Sequence, residues 1–260
     1  MPPEIKPGRV RLVGAGPGAA DLLTVRALRA IEGAQALLYD ALISDDVLAL
    51  APATCLKIQT GKRAGRASMA QSTINRLMLR LARRGLEVVR LKGGDPSIFG
   101  RVGEEQDFLH GYGIETEVVP GVTAASAAAA QFGFPLTHRG EARRVVLTTA
   151  RLEAGALQTD WSAAADPEAT LAIYMGGAEA AELASRLIAA GRPADTPVAI
   201  VERASAPDAV LTRTSLHTLA AGAPESSGGP VLIVVGDVAA QAGARVLAEV
   251  AVTQRAARTG

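Results

Sequence analysis

The sequence predicts an α/β protein of two domains, the first built on a parallel sheet and the second on a mixed one. Short β-rich runs alternate with helical patterns almost from the start, the signature of successive parallel βα units. Glycine-rich stretches follow three of the early runs, at the points where a strand would turn into a helix. In the second half strands outnumber long helices, and one pair is separated only by a short Ser-Ala-Pro-Asp turn, as an antiparallel hairpin requires. At roughly 150 residues per domain, a chain of 260 has room for two modest cores.

RVRLV (9–13) opens the series and runs into Gly14-Ala15-Gly16-Pro17-Gly18, with a helix predicted over 24–32. LLYDA (37–41), a short helix after Ser44 and CLKIQT (55–60) follow. The next helix, over 71–84, has the clearest local pattern. Ser68 and Gln71 read as an S-x-x-Q capping box, Ile74, Leu77, Met78 and Leu81 fall at i, i+3, i+4 and i+7, and Gly85 ends it. EVVRLKG (87–93), another helix and TEVVP (116–120) complete a five-strand domain. An Ala-rich helix over 123–131 and the connector FPLTHRGEA place the boundary between 138 and 139, giving domains 1–138 and 139–260. Beyond it come RRVVLTTA (143–150), TLAIYMGG (170–177), a helix over 179–190, PVAIVERA (197–204), DAVLTRT (208–214), PVLIVVG (230–236) and a helix after Asp237.

The 27 Lys and Arg against 26 Asp and Glu leave a formal charge of +1, which taken evenly argues against a nucleic-acid or membrane-surface partner. The charge is not even. Residues 57–101 hold eleven cations against Glu87 and Asp95, a local excess of +9, so the rest of the chain is acidic. Lys62, Arg63, Arg66 and Arg101 lie beyond strand ends and suit a polycarboxylate or a phosphate. Four Phe, three Tyr and one Trp are too few for a base-stacking platform. The single Cys55 and three scattered histidines predict neither a disulfide nor a metal site and fit a reducing cytoplasm. No apolar run is long enough to suggest a membrane span.

Gly14-Ala15-Gly16-Pro17-Gly18-Ala19 matches G-x-G-x-x-A, and Asp40 ends the next strand where a dinucleotide fold carries its ribose-binding acid. A tight βα turn explains the same residues, and Pro17 removes one N–H from any phosphate cradle. Lys92-Gly93-Gly94-Asp95-Pro96 and Pro120-Gly121-Val122-Thr123 also sit at strand ends. In an open α/β sheet, ligands bind beyond the carboxyl ends of the strands, so the three loops together describe one backbone-lined cleft. Neither a P-loop nor a G-x-S-x-G elbow occurs. His138 reads equally as a structural cap or a site residue, and Trp161 as packing.

The segments GAGPG…DLLT, LLYDALIS, GKRAG, VVRLKGGDPSIFGR.GEE, VVPGVTAA, GFPLTHR, IYMG and VLIVVG, in this order, resemble the tetrapyrrole methylases over nearly the whole chain. The resemblance implies a homodimer of two α/β domains with the active site in the cleft between them. It also implies two methyl transfers from S-adenosylmethionine to carbons C2 and C7 of uroporphyrinogen III, giving precorrin-2 for sirohaem, cobalamin or haem d1. Later corrin-pathway methylation and non-catalytic tetrapyrrole binding are the alternatives. Cofactor contacts carried over are Pro17, Gly93, Gly94, Asp95, Ile98, Thr123, Ala124, Met175 and Ala204. Asp40 falls at the proton acceptor, Lys62 at the proton donor, and Arg101 and Glu104 at substrate contacts. The eight carboxylates of such a substrate would find cations in the +9 segment. Ala19, Ala67, Thr149-Ala150 and Ala204 depart from the common pattern, and a Cβ at Ala204 would crowd the site if the backbone there needs a glycine-only conformation.

Overall fold

The computed structural model describes residues 6–61, 69–150, 166–226 and 228–241. The chain divides into two compact units, Met1–Thr123 and Ala124–Gly260.

The first unit runs β1 (Val10–Gly14), α1 (Val25–Glu32), β2 (Ala36–Tyr39), α2 (Asp45–Ala49), β3 (Leu56–Gln59), α3 (Gln71–Ala82), β4 (Val88–Lys92), α4 (Val102–His110) and β5 (Thr116–Val119). All five strands are parallel, in the order β3-β2-β4-β1-β5. Alternate strand residues point to opposite faces. Val13, Leu37, Val89 and Leu91 meet Ala27, Ile31 and Val47 from α1 and α2, whereas Leu12, Leu38 and Val88 meet Ile74, Met78 and Leu109 from α3 and α4. Thr24 and Ser44 cap α1 and α2 by accepting from the amides of Ala27 and Val47.

The expected capping box of α3 does not form. Ser68 lies outside the described residues, the N-cap is Ala70, and no side chain caps it. Gln71 is the first helical residue, and its amide donates to Asn75 Oδ1 and Glu105 Oε1, both at 2.9 Å. A polar partner on α4 thus takes the side chain that the local motif assigned to the helix start.

The second unit holds α5 (Ala124–Phe132), β6 (Arg144–Thr149), β7 (Ala169–Tyr174), α6 (Ala180–Ala189), β8 (Pro197–Glu202), β9 (Val210–Ser215), α7 (Leu216–Ala221) and β10 (Val231–Val235), then a 3-10 turn at Asp237–Gln241. Its sheet is mixed, in the order β6-β7-β10-β8-β9: β6 and β7 are parallel, and β8 and β9 form the expected antiparallel hairpin. α5 falls on this side of the division, so the break lies at 123/124 and not at 138/139. The reason is packing: Ala125 and Ala128 lie against Ala172, Ala199, Val201 and Val234. An Ala-rich helix has small side chains on every face, so its sequence does not say which sheet it joins. α7 was not foreseen. Six residues are too few for a helical period, although Ser215 supplies an N-cap to Thr218. Trp161 lies outside the described residues.

Candidate functional site

At the carboxyl end of the parallel sheet the three glycine loops meet. Gly16 and Gly94 exchange backbone hydrogen bonds, at 3.2 and 2.6 Å, and Ala15 N donates to Lys92 O at 2.8 Å. A Cβ on Gly121 would stand 2.3 Å from Gly94 O, and one on Gly14 would stand 2.7 Å from Gly94 O and Gly121 N. Only glycine permits these approaches. The amides of Ala15 and Gly16 therefore face the neighbouring loop and Pro17 has none, which takes three N–H groups from a phosphate cradle.

Asp95 ties the second loop to the third. Its Oδ2 accepts from Gly121 N at 3.0 Å, while Oδ1 accepts from Ser97 N at 2.8 Å and from the Ser97 hydroxyl. Burial is the largest single influence on its carboxyl and acts to raise the pKa. The hydrogen bonds from Ser97 and Gly121 outweigh it and hold the group below the ordinary carboxylate value. Gly94, at φ +66°, has no heavy atom within 4 Å of a Cβ position, and a Cβ on Gly93 would meet only Leu42, at 3.7 Å. The loop is locked at Asp95, and space is open over the Cα atoms of Gly93 and Gly94. Ile98 N closes the turn on Asp95 O at 3.1 Å, and Pro17 and Thr123 are half-buried beside these loops.

Asp40 stands at the end of β2, its side chain 34% exposed. Oδ1 accepts from Arg90 Nη2 at 2.5 Å and from Thr60 Oγ1 at 3.2 Å. Arg90 Nε donates to Glu105 Oε1 at 3.2 Å, and Lys92 Nζ donates to both Glu105 oxygens, at 3.0 and 2.9 Å. Glu105 has no exposure at all, and Arg90 and Lys92 have 3% and 4%. Burial, reinforced by the neighbouring Arg90 charge, pushes the Lys92 ammonium below its ordinary value against the pull of Glu105.

This changes the reading of the basic stretch. Arg90 and Lys92 do not face a ligand; they are internal ions with internal partners. Arg101 is at the surface, in a left-handed conformation (φ +58°) at the start of α4, and pairs through Nε and Nη2 with Glu104 at 2.8 and 2.6 Å. The two residues expected to touch substrate are thus in contact with each other. The pairing raises the Arg101 pKa and lowers that of Glu104. Lys62, Arg63, Arg66 and Ala67 lie outside the described residues.

In the second unit, Met175 follows β7 with φ +58° and is 45% exposed. The Ala125 amide donates to the Tyr174 hydroxyl at 3.3 Å, which brings the start of α5, with Ala124, to the end of β7. Gln131 on the same helix accepts from Ser205 N at 2.7 Å and donates to Ala206 O at 3.2 Å. Ala204 is buried in the adjoining cluster, and its neighbours Arg203 and Ser205, not Ala204, take the left-handed conformations. The alanine is therefore accommodated. Ala150 is likewise a core residue with its amide on Tyr174 O. His138 lines a cavity with Phe134 and Pro135, its imidazole 3.5 Å from Glu141. Among the described residues no cluster of His, Cys, Asp and Glu is placed to hold a metal.

The model of the family Tetrapyrrole (Corrin/Porphyrin) Methylases matches residues 9–220. A relative from Paracoccus denitrificans, named uroporphyrinogen-III C-methyltransferase, is 48% identical over 90% of this chain and 83% of its own length. Siroheme synthase 1 of Yersinia enterocolitica is 50% identical over 89% of this chain but only 49% of its own, so the chain spans about half of that protein. Among solved structures, the uroporphyrin-III C-methyl transferase of Thermus thermophilus in complex with S-adenyl homocysteine is similar at a TM-score of 0.76 and 42% identity, over 89% of this chain and 93% of that one.

Proposed function

The chain belongs to the tetrapyrrole methylase family, and from that premise we propose that it transfers two methyl groups from S-adenosylmethionine to C2 and C7 of uroporphyrinogen III, giving precorrin-2. The observation that carries this reading is Asp40: a carboxylate anchored through one oxygen, at a strand end in the same sheet as an open glycine backbone. The open Gly93-Gly94 segment fits a cofactor held by close packing. Pro17, Gly93, Gly94, Asp95, Ile98 and Thr123, with Ala124, Met175 and Ala204, are the residues proposed to hold it. S-adenosylmethionine supplies the electrophilic methyl. The loops contribute by fixing the reactants in line, which replaces a bimolecular encounter with a positioned one. Asp40 takes the pyrrole N–H proton as the ring carbon attacks the methyl and S-adenosylhomocysteine leaves, and Lys62 is the proposed proton donor. Arg101, oriented by Glu104, binds a substrate carboxylate.

The reading includes a homodimer, to be checked by light scattering, and a cytoplasmic location. No described helix is long and apolar enough to cross a membrane. The product is assigned to sirohaem, cobalamin or haem d1 synthesis. Anaerobic incubation with S-adenosylmethionine and uroporphyrinogen III is expected to yield a tetrapyrrole heavier by two methyl groups. No methylated product, under conditions where an authentic enzyme works, overturns the reading.

A further inference from the structure

β4 is the central strand of a parallel sheet covered on both faces, where a near-continuous apolar run is expected. Arg90 breaks that run. It lies in register with Leu12 of β1 and Leu38 of β2, in the layer beneath α3 and α4 that leucines otherwise fill. Burying ions there is costly, and apolar residues of similar volume usually serve stability as well or better. The ions nevertheless form an unbroken line. Lys92 holds Glu105, Glu105 holds Arg90, and Arg90 holds Asp40, with Thr60 Oγ1 bonded to both Arg90 and Asp40. Arg90, Lys92 and Glu105 are all buried, and the line reaches solvent only at Asp40. Among the described residues, Asp40 Oδ2 accepts no hydrogen bond.

Resting on the methyl-transfer reading above, we propose that Arg90 and Glu105 are positioning residues: Arg90 grips Asp40 at Oδ1 so that Oδ2 is presented to the substrate, and Glu105 holds Arg90 in place. Glu105 performs a second task through the same atoms. By holding Lys92, the last residue of β4, it fixes the strand end from which Gly93 and Gly94 emerge. Asp40 and the glycine loop are thereby referenced to one buried carboxylate. A half-exposed aspartate without such a grip would sample several rotamers, and a displacement of about 1 Å at a reacting group costs on the order of a hundredfold in rate.

The experiment compares wild type, Arg90→Met, Arg90→Lys and Thr60→Val in anaerobic steady-state assays with uroporphyrinogen III. Competent sites are counted by calorimetric titration with S-adenosylhomocysteine. Arg90→Met is expected to lower kcat per competent site about a hundredfold, with KM for the tetrapyrrole changed by less than about threefold. Arg90→Lys, which keeps one charge but cannot reach both carboxylates, should recover about tenfold of that loss, and Thr60→Val should cost about threefold to tenfold in kcat. A purely structural role would reduce the number of competent sites and leave kcat per site unchanged, and that result overturns the proposal. If Arg90→Met does not fold, the two conservative variants decide, and wild-type kcat in both overturns it. Wild type that binds S-adenosylhomocysteine but methylates no uroporphyrinogen III overturns the functional reading, and this proposal with it. Active wild type with unaffected variants overturns this proposal alone.

Discussion

Arg90 and Arg101 come from the same basic stretch of sequence, and each holds a carboxylate. Arg90 is buried and divides its guanidinium between Asp40 and Glu105, residues far from it in the chain. Arg101 is 53% exposed and folds back on Glu104, which is 55% exposed, within the first turn of α4. Water screens the second pair, so it contributes little to stability and remains available to a ligand. Arg90 and Glu105 have no water to fall back on, and removing either leaves an uncompensated ion inside the domain. A local charge count treats the two alike; what separates them is whether the partner is local or distant.

The comparison breaks most visibly in activity. Asp40→Asn is expected to lower the methylation rate by about a thousandfold, the range for loss of a positioned base, while calorimetry shows cofactor binding nearly intact. Lost cofactor binding with unchanged turnover at saturation would instead assign Asp40 to the cofactor. In stability the largest effect is expected from Glu105→Ala, which strands Arg90 and Lys92 together. A loss of about 3 to 5 kcal/mol in urea unfolding is expected. Glu104→Ala, the corresponding change in the exposed pair, should leave the unfolding midpoint almost where it is, and equal losses in the two variants would erase the distinction. Arg101→Ala then separates binding from chemistry: KM for the tetrapyrrole should rise about tenfold with kcat changed little.

How much of this was legible beforehand follows the same division. The succession of strands along the chain could be read because period-2 and glycine signals are local, and the β8–β9 hairpin because a short Ser-Ala-Pro-Asp segment separates the two runs. The convergence of the loops after β1, β4 and β5 could be read because a parallel sheet places its strand ends together. The roles of Arg90, Lys92 and Glu105 could not, since Glu105 is on α4 and its ionic partners are on β4. One signal was present: an arginine and a lysine inside Val88-Val89-Arg90-Leu91-Lys92, a strand that a parallel sheet buries on both sides. Gln71 shows the complementary case: a local capping motif accounts for it in the sequence, whereas its amide in the fold goes to Glu105 on another helix.

Asp95 stands between the two cases, partly buried and held by neighbours both local and distant, and it gives the smallest effect. Burial alone would make its carboxylate harder to ionise, but the bonds from Ser97 and from the Gly121 amide leave it easier to ionise than in the unfolded chain. A group whose folded pKa is depressed adds stability above the unfolded value, about 4 for a carboxylate, and loses it as pH falls through the lower folded value. The contribution should therefore be constant from neutrality down to about pH 4 and fade below that. Asp95→Asn should lower stability slightly at neutral pH and make the fall below pH 4 shallower, as read from urea midpoints measured across the acid range. Parallel curves for variant and wild type would mean that the Gly121 bond holds the loops together equally well without the charge, and Asp95 would then group with Arg101 and not with Arg90.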